Sequence, residues 1–228
     1  SGRPLQRIGL SATAWPVERV ANLLAGSRDC YVAAVNAGRA NKLDITVPLP
    51  SEYLPAAGFG PGRVAPVVAR LVNRANCTLA FCTTRSAAER LGLALSLLLP
   101  EHEESIAVHH GSVDRAMRLK IEAGLAEGTL KAVVCSSSLE LGVDFAAVDQ
   151  VLLIGAPYGI SAAMQRLGRS GRRVDGIAAG SLVPLSLPNV LQCIAVREGA
   201  RIAKLDPLHV PRAPLDVLAQ VLIAMSIE

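Results

Sequence analysis

Short apolar runs rich in Val, Ile and Leu alternate along the chain with longer segments in which apolar positions recur at helical spacing. The short runs predict buried strands near residues 79–82, 106–109, 132–135, 151–154 and 181–185. The longer segments predict helices near residues 63–74, 86–98, 113–127, 160–167 and 190–203. Strands that alternate with helices form a parallel sheet covered on both faces, so the pattern predicts a doubly wound α/β domain.

The segment 48–66 interrupts this rhythm because it is rich in proline and glycine. Such a composition predicts a loop or crossing segment without regular structure, with a linker there or just before it. Near one end of the sequence, residues 7–10 predict a strand. Near the other end, residues 214–227 predict a helix that stops without a cap, so we expect both ends to be cut from a longer protein.

The composition indicates a soluble intracellular protein with one main core. Of the 228 residues 51% are apolar, and the net charge is +4. Most basic residues are arginines, which favour fixed phosphate contacts, although coding bias explains the scattered ones equally well. The five cysteines, Cys30, Cys77, Cys82, Cys135 and Cys193, are interpreted as buried thiols in a reducing cytoplasm. No apolar run is long enough to span a bilayer, so we expect a cytoplasmic protein with no membrane partner.

The most informative stretch is 165–172, Gln-Arg-Leu-Gly-Arg-Ser-Gly-Arg. On a helix, its spacing would gather Arg166, Arg169 and Arg172 on one side. Each interleaved glycine costs a helix about 1 kcal/mol relative to alanine, and like charges one turn apart lose a few tenths more. A bound polyanion best explains a segment that disfavours its own helix, because guanidinium forks suit phosphate.

Small hydroxylic residues follow two of the predicted strands. Thr83, Thr84 and Arg85 come after one strand, and Ser136 and Ser137 come after another, each time ahead of a helix. Ligands bind at the carboxyl ends of parallel strands, and a helix N-terminus flanked by hydroxyls is a phosphate site. For each site alone, ordinary N-capping is the simpler explanation. Their repetition beside an arginine cluster favours contact with a nucleic-acid backbone.

Two further motifs leave alternatives open. Gly142 allows close approach and Asp144 can hydrogen-bond a sugar hydroxyl, but taken alone a helix C-cap with a solvated Asp explains them better. His109, His110 and Gly111 suggest a metal at first glance, yet no further ligand stands at suitable spacing, so no metal site is predicted. A strand-end backbone contact to nucleic acid, or a hydrogen-bonded core histidine, explains them better.

Two signatures of phosphate-handling motors are missing. The sequence contains no Gly-x-x-x-x-Gly-Lys-[Ser/Thr] loop and no Asp-Glu pair to hold Mg²⁺ in the usual motor arrangement. Residues 58–62, Gly-Phe-Gly-Pro-Gly, resemble a dinucleotide fingerprint but lack its preceding strand and its third glycine. The hypothesis that the protein is a dinucleotide-dependent oxidoreductase therefore rests on the fold class alone.

Four separated blocks match one pattern in order: residues 9–13, 81–86, 135–144 and 165–172. They resemble motifs III, IV, V and VI of superfamily 2 helicases. The amino-acid sequence of these blocks and their surroundings is most similar to the large helicase-related (Lhr) family and its ligase-associated bacterial relatives. The similar residues are 5–13, 109–112, 130–135, 141–145 and 214–220. The resemblance runs almost from end to end.

This resemblance implies a RecA-like fold of the P-loop NTPase type, as the second helicase domain without the P-loop. It divides the chain into the tail of a first RecA-like domain (1–27), a linker or crossing segment (28–60), the second RecA-like domain (61–205) and the start of a winged-helix region (206–228). Members of the family use ATP to move 3′ to 5′ along single-stranded DNA in DNA repair. The expected nucleic-acid partner is single-stranded DNA, with RNA or a DNA–RNA hybrid as alternatives. The other expected partner is the first RecA-like domain, which would provide most of the contacts to ATP and Mg²⁺.

The resemblance also implies roles for residues that face ATP. Arg169 and Arg172 match arginine fingers that meet the γ-phosphate across the cleft between the two domains. Gln165 and Arg166 match residues that assemble this face. The nucleotide-side residues of motif V correspond to Gly142 and Asp144.

Other residues would face nucleic acid or couple the two activities. Thr84, Arg85 and Ser137 match positions that touch the DNA backbone, and the full predicted binding set adds Thr83, His110, Gly111 and Ser136. The motif III residues Ser11, Ala12 and Thr13 would couple ATP state to the grip on DNA. Because motifs I and II are absent, we expect no ATP hydrolysis by this chain alone. The alternative is a non-catalytic nucleic-acid-binding module from a split or degenerate helicase gene.

Overall fold

The computed structural model of the chain describes residues 5–33, 41–48, 61–140, 147–171, 178–211 and 213–226. These residues contain six strands: Asn41–Ile45 (β1), Thr78–Cys82 (β2), Ile106–His109 (β3), Ala132–Cys135 (β4), Gln150–Ile154 (β5) and Ala178–Val183 (β6). They also contain seven α-helices: Val17–Ala25 (α1), Pro61–Arg74 (α2), Arg85–Leu98 (α3), Arg115–Glu127 (α4), Ile160–Leu167 (α5), Leu187–Arg201 (α6) and Leu215–Met225 (α7). The chain divides into two compact units, one made of Ser1–Ala33 with Asp206–Glu228 and the other of Ala34–Leu205.

All six described strands lie in one parallel sheet of the second unit, in the order β1-β6-β5-β2-β4-β3. Strand β2 is central, and its Phe81 pairs with Cys135 of β4 and Leu153 of β5. Strands β2 and β4 are buried at every position. Continuous apolar runs are typical of parallel strands because helices cover both faces of the sheet.

Alternate residues of each strand point into two separate cores. In β2, Leu79 and Phe81 belong to one core, whereas Ala80 and Cys82 belong to the other. This division follows from the two-residue period of a strand. Helices α4, α5 and α6 complete the first core, and α2 and α3 complete the second. The structure is the doubly wound α/β fold that the sequence predicts.

Each strand and helix predicted between residues 61 and 205 is present, with ends that differ by at most a few residues. Side-chain caps fix two helix starts: Thr84 accepts a hydrogen bond from the backbone N–H of Ala87, and Asp114 accepts one from Ala116. Gly128 ends α4 in the left-handed conformation, with φ of 75°. Local sequence signals therefore set these boundaries.

Two predictions about less regular segments were wrong. Residues 7–10 are exposed and have no regular secondary structure, because a strand is held by a paired neighbour and these residues are not part of the sheet. Helix α2 begins at Pro61, inside the segment 48–66 that was predicted to lack regular structure. Proline is tolerated in the first turn, where its missing N–H has no partner within the helix.

Strand β1 was not predicted from the sequence, because it lies within the segment 28–60 that was predicted to be a linker. It pairs with β6 at the edge of the sheet, where Leu43 lies opposite Gly180. Of its residues only Leu43 is buried, so its sequence carries little of the apolar signal that marks the central strands.

The predictions for the cysteines and for the last helix can also be compared with the structure. Four cysteines are buried as predicted, whereas Cys30 is exposed beside the charged residues Arg28 and Asp29. Helix α7 forms where the sequence predicts one, and its large apolar side chains are exposed. Within the part of the chain that the structure describes, no helix is long and apolar enough to cross a membrane.

Candidate functional site

A cavity of about 420 Å³ opens at the carboxyl edge of the sheet in the second unit. It is lined by the last residue of β2, by residues that follow β2, β4 and β5, and by one arginine of α5: Cys82, Thr83, Thr84, Arg85, Ser136, Ser137, Pro157, Tyr158 and Arg166. This volume falls within the roughly 300–1,000 Å³ of small-molecule sites. The cavity therefore brings together the two hydroxylic sites that the sequence predicts separately.

The end of β2 contributes exposed hydrogen-bonding groups. Thr84 caps α3 through its Oγ1, which lies 3.1 Å from the backbone nitrogen of Ala87, so N-capping does occur here. Its hydroxyl hydrogen remains available to a second acceptor, because capping uses only a lone pair. Arg85 is also exposed, and its Nη1 donates to Ser112 Oγ at 2.6 Å. The guanidinium thus links the end of β2 to the loop after β3.

The end of β4 contributes two serines to the cavity. Ser136 is half-buried and Ser137 is exposed, at the start of a 3₁₀ turn over Ser137–Leu139. The next residue, Ser138, turns away from the cavity: its Oγ donates to the carbonyl oxygen of His109 at 3.0 Å and lies 2.7 Å from Nδ1 of the same histidine. Ser136 and Ser137 are therefore the serines placed to meet a ligand.

His109 at the end of β3 and His110 directly after it are both hydrogen-bonded core residues, one of the alternatives left open by the sequence. His110 Nε2 donates to Glu89 Oε1 at 2.6 Å, and its Nδ1 accepts from the N–H of Ser112 at 3.3 Å. His109 Nε2 lies 3.2 Å from Glu122 Oε1. Burial lowers the pKa of His109, and the hydrogen bond to Glu122 opposes that shift. The side chain of His110 is thus directed inward, while Gly111 is exposed.

The ends of β2, β4 and β3 lie side by side because these strands are consecutive in the sheet. Their exposed or half-buried residues form what we call the carboxyl-edge strip: Thr83, Thr84, Arg85, Gly111, Ser112, Ser136 and Ser137. Adjacent strands are about 4.8 Å apart, so the strip extends roughly 10 Å across the sheet. Its members carry hydroxyls, a guanidinium and no carboxylate. This composition suits an anionic ligand such as a phosphodiester backbone.

The arginine-rich segment begins on α5 and continues beyond it. Helix α5 ends at Leu167, and Gly168 is its C-cap. The chain then turns: the buried Ser170 accepts a hydrogen bond from the N–H of Ala179 at 3.1 Å, and Gly171 has φ of 67°. A side chain at φ near 67° would be strained, so this turn is a specific reason for a glycine at position 171.

The structure corrects the idea that the three arginines share one helical face. Arg166 lies on α5 with a side chain only 10% exposed, and its Nε donates to Glu140 Oε1 at 2.8 Å. Its Nη2 donates to the same oxygen. Its Cζ lies 5.2 Å from the centroid of the Phe81 ring. Arg166 is therefore held by its own domain, although it lines the cavity, so its contact with a bound nucleotide stays a prediction.

The remaining predicted residues are placed as follows. Gln165 and Arg169 are half-buried, and both interact with other groups in the structure. In the first unit, the backbone N–H of Thr13 donates to Ser11 Oγ at 3.2 Å, with Ala12 between them. Three residues lie outside the described part of the chain: Gly142, Asp144 and Arg172. The roles of all these residues stay predictions.

Glu140 is the site residue that sequence reasoning missed. Its side chain is 19% exposed, and it neutralises the guanidinium of Arg166. A buried charge is costly without an opposite charge beside it, but the sequence alone does not show that Arg166 is buried. Which carboxylate meets it depends on strand order, and a sequence pattern does not specify that choice.

The cavity provides no activated nucleophile from its cysteine. Cys82 lines it, but burial raises the pKa of this thiol to about 12. A thiol with such a pKa stays protonated near neutral pH and is inert as a nucleophile. In the described ranges, no group of three or more His, Cys, Asp or Glu is arranged to hold a metal ion. The hydroxyls and guanidiniums that line the cavity can bind an anion through hydrogen bonds and positive charge.

Comparison with known proteins gives concordant results. Residues 64–174 match the family described as the helicase conserved C-terminal domain. The chain is 37% identical to the ATP-dependent helicase Lhr-Core of Methanocaldococcus jannaschii over 224 residues, which are 97% of this chain and 26% of that protein. It is 32% identical to the Lhr helicase/probable uracil glycosylase of Mycolicibacterium smegmatis over 261 residues, covering 98% of this chain and 17% of that protein. The chain spans about a quarter or less of the length of these curated relatives.

A solved structure is also similar. The Mycobacterium smegmatis helicase Lhr bound to ssDNA and AMP-PNP has a TM-score of 0.88 and 35% sequence identity, covering 98% of this chain and 30% of that chain. Together with the matched family, this similarity confirms the predicted RecA-like fold class.

Proposed function

Because the chain belongs to the Lhr family of superfamily 2 helicases as a helicase C-terminal domain, we propose that it is the second RecA-like motor domain of an ATP-dependent DNA helicase. In this proposal the domain covers residues 61–205 together with strand β1 (Asn41–Ile45), which the segment 28–60 adds to the edge of its sheet. The start of a winged-helix region (206–228) follows it. Residues 1–27 belong to the first RecA-like domain. The domain grips single-stranded DNA and supplies arginines for ATP hydrolysis, in a protein that acts in DNA repair.

The carboxyl-edge strip is the observation that carries the DNA-binding half of the proposal. Its hydroxyls and its guanidinium come from three neighbouring strand ends, so they face one ligand together. Helix α3 starts at Arg85 and adds the positive dipole end of a helix, with the first-turn N–H groups other than that of Ala87, which donates to the Thr84 cap. Such groups contact phosphates and read no base identity. The strip is therefore proposed to follow the backbone of a single strand.

The ATP half of the proposal rests on the segment after α5. Guanidiniums fit a polyphosphate, and we propose Arg169 and Arg172 as the fingers that neutralise it, with Gln165 supporting them. Gly142 and Asp144 are proposed to contact the nucleotide. The ion pair of Arg166 with Glu140 anchors the helix from which this segment emerges. ATP and its Mg²⁺ are held mainly by the first RecA-like domain.

The test is DNA-stimulated ATP hydrolysis by this chain combined with a first RecA-like domain. An arginine finger contributes about 10³-fold or more to kcat, so Arg169→Ala and Arg172→Ala should each abolish measurable turnover. Affinity for single-stranded DNA should stay within a factor of about two, because neither residue belongs to the strip. Arg90→Ala, at an exposed arginine of α3, is the matched control and should hydrolyse ATP normally.

Three results would contradict the proposal. Unchanged turnover in Arg169→Ala and Arg172→Ala would exclude the finger assignment. Clear hydrolysis by the pure chain without a first domain would show that the ATP site is complete here. DNA binding that persists while no combination with a first domain hydrolyses ATP would favour the non-catalytic binding module instead.

A further inference from the structure

Tyr158 is a solvent-exposed aromatic side chain at the polar cavity. It is 91% exposed and lines the same cavity as Thr83 and Ser137. Singly exposed apolar residues are common on proteins, so exposure alone decides nothing. The location is informative, because the ring stands beside hydroxyls and a guanidinium that suit phosphate.

The backbone around Tyr158 is well fixed. Gly159 follows it with φ of 109°, and the Gly159 N–H donates to the carbonyl oxygen of Pro157 at 2.9 Å, which closes a tight turn. On the other side, the N–H of Ala156 donates to Asn189 Oδ1 at 3.2 Å. A tyrosine has only two side-chain torsions to order, so a ligand that covers this ring loses little conformational entropy.

The position of Tyr158 in the sheet complements the carboxyl-edge strip. It follows β5, which neighbours β2 on the side opposite β4. Phosphate-binding groups thus extend from β2 to β3, and the ring stands on the other flank of β2. A nucleic-acid strand has the same two parts, a charged backbone and flat bases.

We propose that Tyr158 stacks on a nucleobase of the single strand whose backbone lies on the carboxyl-edge strip. The inference rests on the proposed function and adds a base-binding residue to it. Stacking accepts any base, because every base presents a π face. A protein surface would also cover a tyrosine, but the adjoining cavity wall contributed by Thr83, Arg85 and Ser136 is polar and suits phosphate better than an apolar partner.

The experiment measures binding of the full 228-residue chain to two fluorescein-labelled probes by anisotropy. One probe is oligothymidylate, and the other is an abasic oligomer with the same backbone and length. Tyr158→Ala should weaken binding to oligothymidylate about 5- to 10-fold, at the lower end of base–aromatic stacking. Tyr158→Trp and Tyr158→Phe should retain affinity, whereas Tyr158→Leu should lose it because leucine has no π face. Binding to the abasic probe should be the same for all variants.

Tyr31→Ala is the matched control, since Tyr31 is 93% exposed in the other unit and should contribute nothing. Because the Tyr158 side chain is exposed, its substitutions should leave thermal unfolding unchanged. If the unsubstituted chain binds oligothymidylate and Tyr158→Ala binds it equally well, stacking is excluded while the proposed function stands. If Tyr158→Ala weakens both probes equally, the ring does not contact bases. If the unsubstituted chain binds neither probe, the inference and the DNA-binding proposal both fail.

Discussion

Removing the carboxylate of Glu140 should destabilise the domain strongly, because it leaves the guanidinium of Arg166 buried without its partner. The two side chains are 19% and 10% exposed, and two nitrogens of the arginine donate to one Glu140 oxygen. Breaking a buried pair at one side costs about 3–5 kcal/mol. Since Glu140 keeps some contact with water, we expect Glu140→Ala to cost about 3 kcal/mol, near the lower end of that range.

The assay is urea and thermal unfolding followed by circular dichroism. For a chain of this size 1 kcal/mol corresponds to about 2–4 °C, so Glu140→Ala should lower Tm by about 6–12 °C. The matched control is Asp44→Ala, which breaks a surface pair with Lys42 whose side chains are 62% and 68% exposed. Exposed pairs contribute about 0–1 kcal/mol, so this control should change stability little.

A double-mutant cycle with Arg166→Met measures the interaction free energy between Glu140 and Arg166. Replacing both partners removes the buried charge together with its counter-charge, so the double variant should lose about 1–3 kcal/mol less than the sum of the single variants. Additive effects would show that the two side chains are not coupled. A Glu140→Ala variant as stable as Asp44→Ala would refute the claim that Arg166 needs this carboxylate.

Three further predictions concern stability and reactivity. Gly180→Ala should cost about 1–3 kcal/mol in urea unfolding, because a Cβ there lies 2.9 Å from the Val151 carbonyl oxygen and 2.7 Å from a Leu167 methyl group, and an unaffected variant would contradict this packing. Native chain should react with Ellman's reagent at Cys30 alone, and all five thiols should react after denaturation; rapid labelling of a second native thiol would contradict the burial of the others. Because burial lowers the pKa of His109 below its ordinary 6.5, the unfolded chain takes up the proton more readily, so stability should fall as pH drops from 7 to 5. Replacing it in His109→Gln should flatten this slope, and an equal slope in both proteins would count against the assignment.

The fold was predictable where the sequence signal is local. Strand β4 is apolar at every residue and β2 at every residue except Thr78, and the caps at Thr84 and Asp114 mark helix starts by their own chemistry. Strand β1 was not predictable in the same way, because only Leu43 of the strand is buried and its pairing with β6 joins distant parts of the chain. What identifies β1 as a strand is its pairing in the folded sheet, which its own sequence does not show.

The site was predictable for a similar reason. The hydroxylic residues that follow β2 and β4 meet because parallel strands place their carboxyl ends on one edge. The same logic did not reveal Glu140, since the partner of a buried arginine is chosen by tertiary packing. The three-residue spacing of the arginines suggested one shared helical face, and this prediction was wrong. Helix α5 ends at Leu167, so Arg166 lies on the helix and Arg169 lies beyond it.

The most direct test of the central claim is the salt dependence of single-stranded DNA binding by the 228-residue chain. Each phosphate contact with a single strand contributes about −0.7 to the slope of log K against log salt. Arg85→Ala should therefore weaken binding and reduce the magnitude of the slope by about 0.7, whereas Arg90→Ala on the same helix should leave the slope unchanged. Binding that does not respond to salt, or an Arg85→Ala slope equal to that of the unsubstituted chain, would contradict the assignment of the carboxyl-edge strip to a nucleic-acid backbone.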